Sequence, residues 1–157
     1  MEQIWAPWRS AYIKNKQQKG CLFCRIARSR QDKKNYVLSR SNFYFSVLNI
    51  HPYNNGHVMI APYRHLRDLE DLSSDEILDL FNHFKKIRLK LDKCLKPQAY
   101  NVGLNIGKIA GAGIDKHIHI HIVPRWLGDT NFMPVINMVK VIPQSLDELY
   151  KKLKHAH

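Results

Sequence analysis

The seven residues His117-Ile118-His119-Ile120-His121-Ile122-Val123 constrain this chain more than any other stretch. A polar residue alternating with a branched apolar one has the two-residue period of a half-buried β-strand. The three imidazoles are therefore expected on one face, and Ile118, Ile120 and Ile122 on the other. At about 3.3 Å per residue the outer two histidines stand roughly 13 Å apart, enough to follow several groups of a polyanionic ligand. Histidine is an uncommon choice for a solvated strand position, so anion binding and ligation of one metal ion by all three rings are the chemical readings to weigh.

The flanking chain supplies partners for such a strand. Tyr36-Val37-Leu38 is extended, Phe43 to Leu48 is rich in aromatic and branched residues, and His57 to Ala61 follows after His51-Pro52-Tyr53-Asn54-Asn55-Gly56, whose Asn-Gly pair reverses a strand. Ser73 and Glu76 form a capping-box pair ahead of Ile77, Leu80, Phe81, Phe84, Ile87, Leu91 and Leu95, spaced as one face of a long helix that Pro97 stops. Tyr100 to Ile106 alternates Asn101, Gly103 and Asn105 with apolar residues, and a loop with Gly107, Gly111 and Gly113 leads to the histidine strand, which Pro124 closes. A charged stretch from Arg25 to Lys34 with room for one short helix, a short strand from Val139 to Ile142 and a lysine-rich helix from about Ser145 complete the pattern. This order predicts an α+β domain with an antiparallel sheet, one long helix and a short C-terminal helix.

At 157 residues the chain is read as one domain, residues 1–157, with an aromatic-anchored arm over 1–20, a core over 21–125 and an extension over 126–157. The absence of a long apolar run or apolar leader predicts no membrane span, and three cysteines, an odd number, predict a cytoplasmic protein without a disulfide framework. A net charge of +12 favours anionic partners. The lysines and arginines fall in local clusters such as Lys85 to Lys96, which read as solvated faces, so nucleic-acid binding is the minor expectation.

Cys21 and Cys24 have the spacing of two thiolates at a tight turn that reach one tetrahedral ion, or of two buried thiols. If a metal is held, histidines complete the set, with His65 at a strand end and an end member of the histidine row as candidates.

The histidine stretch with Pro124-Arg125 resembles the signature of the histidine triad (HIT) family of nucleotide hydrolases and transferases. The likeness extends to Trp5-Ala6-Pro7-Trp8-Arg9, Pro52-Tyr53-Asn54-x-Gly56-His57, Asn101-Val102-Gly103-Leu104-Asn105 and Trp126-x-Gly128-Asp129-Thr130-Asn131-Phe132, and within the family it is greatest to bacterial and archaeal diadenosine tetraphosphate phosphorylases and hydrolases. That resemblance implies a HIT fold whose five-stranded sheet continues across a homodimer. It implies His119 as the nucleophile at the α-phosphorus, its second ring nitrogen held by the carbonyl of the first histidine, with His121 and His57 donating to phosphate oxygens. Asn49 then matches the position that binds the ribose hydroxyls, Val47 and Met59 line the base pocket, and Asn105 with the Gly111-Ala112-Gly113 backbone meets the phosphates. Relatives carry Gln or Ser near Gly113, so this chain lacks a side chain for the leaving group there. The resemblance also implies a structural zinc on Cys21, Cys24, His65 and His117, leaving His119 free for chemistry. The expected function is cleavage of dinucleoside polyphosphates or related adenosine phosphates; the competing expectation is a non-catalytic, zinc-stabilised module for nucleotides or RNA.

Overall fold

The computed structural model describes residues 20–130 and 141–156. The Trp5 to Arg9 arm, Asn131, Phe132, Val139 and Lys140 lie outside them. The described chain runs α1 (Leu22–Arg28), β1 (Val37–Arg40), β2 (Tyr44–Leu48), β3 (Val58–Pro62), α2 (Ser74–Leu95), β4 (Ala99–Leu104), β5 (Ile120–Arg125) and α3 (Leu146–Lys154). The five strands form one antiparallel sheet in the order β1-β2-β3-β5-β4.

Local chemistry places these elements. Ser73 accepts a hydrogen bond from the Glu76 amide while the Glu76 carboxylate accepts one from the Ser73 amide, so the capping box starts α2 as expected. The Asn-Gly turn joins β2 to β3, and Gly56 carries φ +77°. A Cβ there would stand 2.6 Å from Leu95 Cδ1 and 3.1 Å from Pro124 Cγ, so the residue both turns the chain and lets α2 and β5 close over it.

Strand alternation sorts side chains into two apolar layers. On one face Leu38, Tyr44, Leu48, Val58, Ile60 and Ile122 meet Leu80, Ile87 and Leu91 of α2 and Leu149, Tyr150 and Leu153 of α3. On the other, Val37, Phe45, Val47, Met59 and Ala61 meet Phe23 and Ile26 of α1.

Several expectations change. The sheet is covered on both faces, and the histidines are buried rather than half in water. The ladder of β5 begins at Ile120, not His117, because its pairing with both neighbours ends there: with β4 at Leu104–Ile120 and with β3 at Ile60–Ile120. Pro62, the last residue of β3, has no N–H to carry the pairing on. His117 to His119 instead run ahead of the strand, anchored by the Ile118 amide donating to the Leu66 carbonyl at 2.8 Å. Pro124 lies inside β5, opposite Tyr100, rather than closing it. β3 has already stopped pairing beyond Ile122, so the missing N–H interrupts no ladder. The cysteine pair is not a free-standing turn: Cys21 is the N-cap of α1 and Cys24 sits in its first turn, with the helix ending at Arg28. Val141 and Ile142 belong to no strand.

Candidate functional site

Register brings the site together. Val37, Val47, Met59, His121 and Gly103 stand opposite one another across all five strands, so one row runs from the apolar layer under α1 to the catalytic candidates. His57 precedes β3, and its Nε2 lies 2.9 Å from His121 Nδ1. The His119 and His121 rings are 4.7 Å apart, and Phe23 packs against His119 at 4.8 Å.

The hydrogen bonds fix the tautomers. The Tyr53 amide at 3.0 Å and the Asn49 side-chain amide at 3.3 Å both point at His57 Nδ1, which therefore accepts, so Nε2 carries the proton and donates to His121 Nδ1. His121 must then hold its own proton on Nε2, which is buried and has no partner among the described residues. His119 Nδ1 donates to the His117 carbonyl at 2.9 Å, leaving Nε2 as a bare lone pair. Burial disfavours the charged form of all three. It lowers His57 to about 3 and His121 to about 4, each pushed further by neighbouring imidazoles, and lowers His119 against the opposing pull of the His117 carbonyl. At neutral pH the site is three uncharged rings with defined protons.

This burial has a measurable cost. The unfolded chain's imidazoles titrate near 6.5, whereas folded His57, His121 and His83 stay neutral to about 3, 4 and 4. Below pH 6.5 the unfolded state binds more protons, so the stability held above 6.5 drains away as pH falls toward 4. Each titrating ring contributes up to about 1.4 kcal/mol per pH unit. Urea midpoints are expected to fall steadily between pH 6.5 and 4; a midpoint flat to pH 4 contradicts the neutral assignment.

Beside the triad, Cys21, Cys24, His65 and His117 bring four ligand atoms within 4.8 Å of one another, a cluster that could hold a metal ion. His117 Nδ1 lies 3.3 Å from Cys21 Sγ and 3.6 Å from Cys24 Sγ, and His65 Nδ1 lies 3.2 Å from Cys24 Sγ. The His117 Nε2 proton goes to the Pro62 carbonyl at 3.0 Å, which turns its Nδ1 lone pair toward the sulfurs. Three separate segments supply these groups. The one carrying His65 is tied to α2 by the Arg64–Glu76 ion pair at 2.7 Å, with the Glu76 carboxyl held down at about 2 by that guanidinium.

Other expected residues are placed less tightly. Val47 and Met59 are buried partners in the layer under α1. Asn49 is near His57, and its Oδ1 accepts from the His51 amide at 2.9 Å. Asn105 follows β4 directly, and Gly111, Ala112 and Gly113 precede the histidine segment; among the described residues no hydrogen bond joins them to the triad. Sequence reasoning missed the parts played by Phe23, whose ring backs His119, by the Tyr53 amide, and by the Pro62 carbonyl. Only the position of Phe23 between the two cysteines hinted at its place.

Comparison with known proteins shows the family and the fold. A family model described as HIT domain matches residues 30–126. An AP-4-A phosphorylase of Mycobacterium tuberculosis is 35% identical over 162 aligned positions, covering 98% of this chain and 83% of that protein. A bis(5'-nucleosyl)-tetraphosphatase (asymmetrical) of Schizosaccharomyces pombe is 33% identical over 93 positions, covering 59% of this chain and 50% of that one. Among solved structures, a Zn-bound histidine triad family protein from Mycobacterium smegmatis superposes with TM-score 0.69 at 25% identity, over 87% of this chain and 92% of that chain.

Proposed function

Because the chain belongs to the HIT domain family, we propose that it is a nucleotide hydrolase or nucleotidyltransferase that cleaves dinucleoside polyphosphates, with diadenosine tetraphosphate the first substrate to test. The observation that carries this reading is the His119 tautomer: a neutral, buried imidazole whose Nδ1 proton is held by the His117 carbonyl and whose Nε2 lone pair is available. The Nε2 lone pair attacks the α-phosphorus, the bond to the bridging oxygen breaks, and the remaining polyphosphate leaves with that electron pair. Water or inorganic phosphate then displaces His119, giving up its proton to the medium. The Nε2–H of His121, unpartnered and buried, donates to the phosphate oxygens where charge gathers; His57, whose one proton goes to His121 rather than to phosphate as the resemblance implied, holds that ring in the donating tautomer. Val47 and Met59 wall the base, Asn49 meets the ribose, and Asn105 with the Gly111-Ala112-Gly113 backbone meets the phosphates. The similarity to a protein named a phosphorylase and another named a tetraphosphatase supports both second steps.

The four-ligand cluster fits zinc. Bonds of about 2.3 Å to sulfur and 2.0 Å to nitrogen in a tetrahedron place N and S roughly 3.5 Å apart. Three of the four N–S separations here are 3.2, 3.3 and 3.6 Å, and all four ligand atoms lie within 4.8 Å of one another. All four positions are protein groups, so such an ion is structural, and the three cysteines, all free, accord with a cytoplasmic setting. No helix among the described residues is long and apolar enough to cross a membrane. We further infer a homodimer: among the described residues the far side of the edge strand β4 has no partner strand and its Val102 is exposed, which supports pairing with a second copy. Residues 1–157 are read as one domain, a reading supported by α3, whose Leu149, Tyr150 and Leu153 pack into the same core as α2 and the sheet.

The deciding experiment mixes the protein with diadenosine tetraphosphate, with and without inorganic phosphate. ADP formed with phosphate marks a phosphorylase and AMP plus ATP in water marks a hydrolase; neither product on any dinucleotide overturns the reading. The same preparation is expected to sediment at twice the monomer mass, and a monomer removes the shared sheet.

A further inference from the structure

We propose that the outer face of the Tyr53 ring is the platform on which the second nucleobase of a dinucleoside polyphosphate stacks, so that this residue sets the preference for two-base over one-base substrates. The proposal rests on the nucleotide-cleaving function above and names how its substrate's far half is held.

Four rings follow one another as neighbours across the site. Phe23 and His119 are 4.8 Å apart, His119 and His121 4.7 Å, and His121 and Tyr53 5.6 Å. The ends of this series differ. Phe23 is fully buried in the apolar layer that also holds Val47 and Met59, whereas Tyr53 is 51% exposed. Tyr53 lies at 28° to His121 and 32° to His57, so one ring face covers the imidazoles and the other faces solvent.

The loop that carries this ring is pinned on both sides. The Tyr53 amide donates to His57 Nδ1, the His51 amide to Asn49 Oδ1, and the Asn54 side chain to the Pro124 carbonyl at 3.0 Å and the Asp129 carboxylate at 2.8 Å. An aromatic ring left half in water contributes little to the core. Held by these bonds beside the buried, unpartnered N–H that the proposed function assigns to phosphate, it offers a preorganised π face at the exposed end of the rings, where the proposal puts the leaving portion of the substrate. Every base has a π face, so stacking here tolerates purine and pyrimidine alike.

The test compares diadenosine tetraphosphate with adenosine 5'-tetraphosphate, which lacks the second nucleoside. Wild-type kcat/KM is expected to favour the dinucleotide by about tenfold, the effect of one stacked base. Tyr53→Leu brings the ratio near one, and Tyr53→Trp keeps or raises it. Any effect of the ring on His57 is common to both substrates and cancels in the ratio. A wild-type ratio of one, or a ratio unmoved in Tyr53→Leu, overturns the proposal. If neither compound is cleaved, the catalytic reading fails by itself, and calorimetric Kd values of both compounds on the same three proteins give the ratio that supports or overturns the platform.

Discussion

His119→Ala is expected to lower turnover of diadenosine tetraphosphate by about 10⁴-fold or more, the scale seen when a covalent nucleophile is removed. The effect is large because no neighbour can take its place. His57 Nε2 and His121 Nε2 both carry protons, and the acceptor nitrogens of these two rings are already engaged by N–H donors. The variant is expected to fold. It loses packing against Phe23 and His121, and it also loses a ring whose charged form burial disfavours. Rapid acid quench of the wild type with substrate labelled in the α-phosphate should trap an acid-labile nucleotidyl-protein, absent from His119→Ala. Residual activity within tenfold of wild type, or an equally labelled variant, places the nucleophile elsewhere.

Loss of the cysteine–histidine cluster is expected to act on the fold first. Cys24→Ser removes the sulfur that lies against both His65 and His117, and no other described group stands ready to replace it. An ion held there would cross-link α1, the segment after β3 and the segment ahead of β5. Without it, Tm is expected to drop by about 10 °C, the scale of a few kcal/mol in a domain of this size. Metal content by mass spectrometry is expected to fall from about one zinc per chain to none. The rings proposed for catalysis are not among the four ligand residues, so kcat measured well below the variant's Tm is expected to fall far less than in His119→Ala. A wild type purified without metal, or a variant that keeps it, removes the site.

Much of the fold was legible because its signals are local. The capping box at Ser73, the helical spacing of Leu80, Ile87 and Leu91, and the Asn-Gly turn depend on residues a few positions apart, and each element formed where the pattern put it. The division of Ile120 and Ile122 from His121 across the sheet also followed directly from strand alternation. Errors fell where neighbours distant in sequence decide. Whether His117 joins a ladder depends on Pro62 having no N–H to give, and whether Pro124 ends a strand depends on which partner has already stopped pairing.

Periodicity and spacing alone were enough to expect three histidines on one face, two cysteines that could share an ion, and a helix over an antiparallel sheet. The residue pattern assigned a proton to no ring, and the family resemblance implied only that of His119. Each was decided by tertiary contacts, with the His117 carbonyl setting His119, the Tyr53 amide setting His57 and through it His121, and the Pro62 carbonyl turning His117 toward the cysteines. Identical side chains two residues apart acquire different chemistry because a tautomer is chosen by the group facing each nitrogen. For His57 and His117, that group is fixed only when the chain has folded.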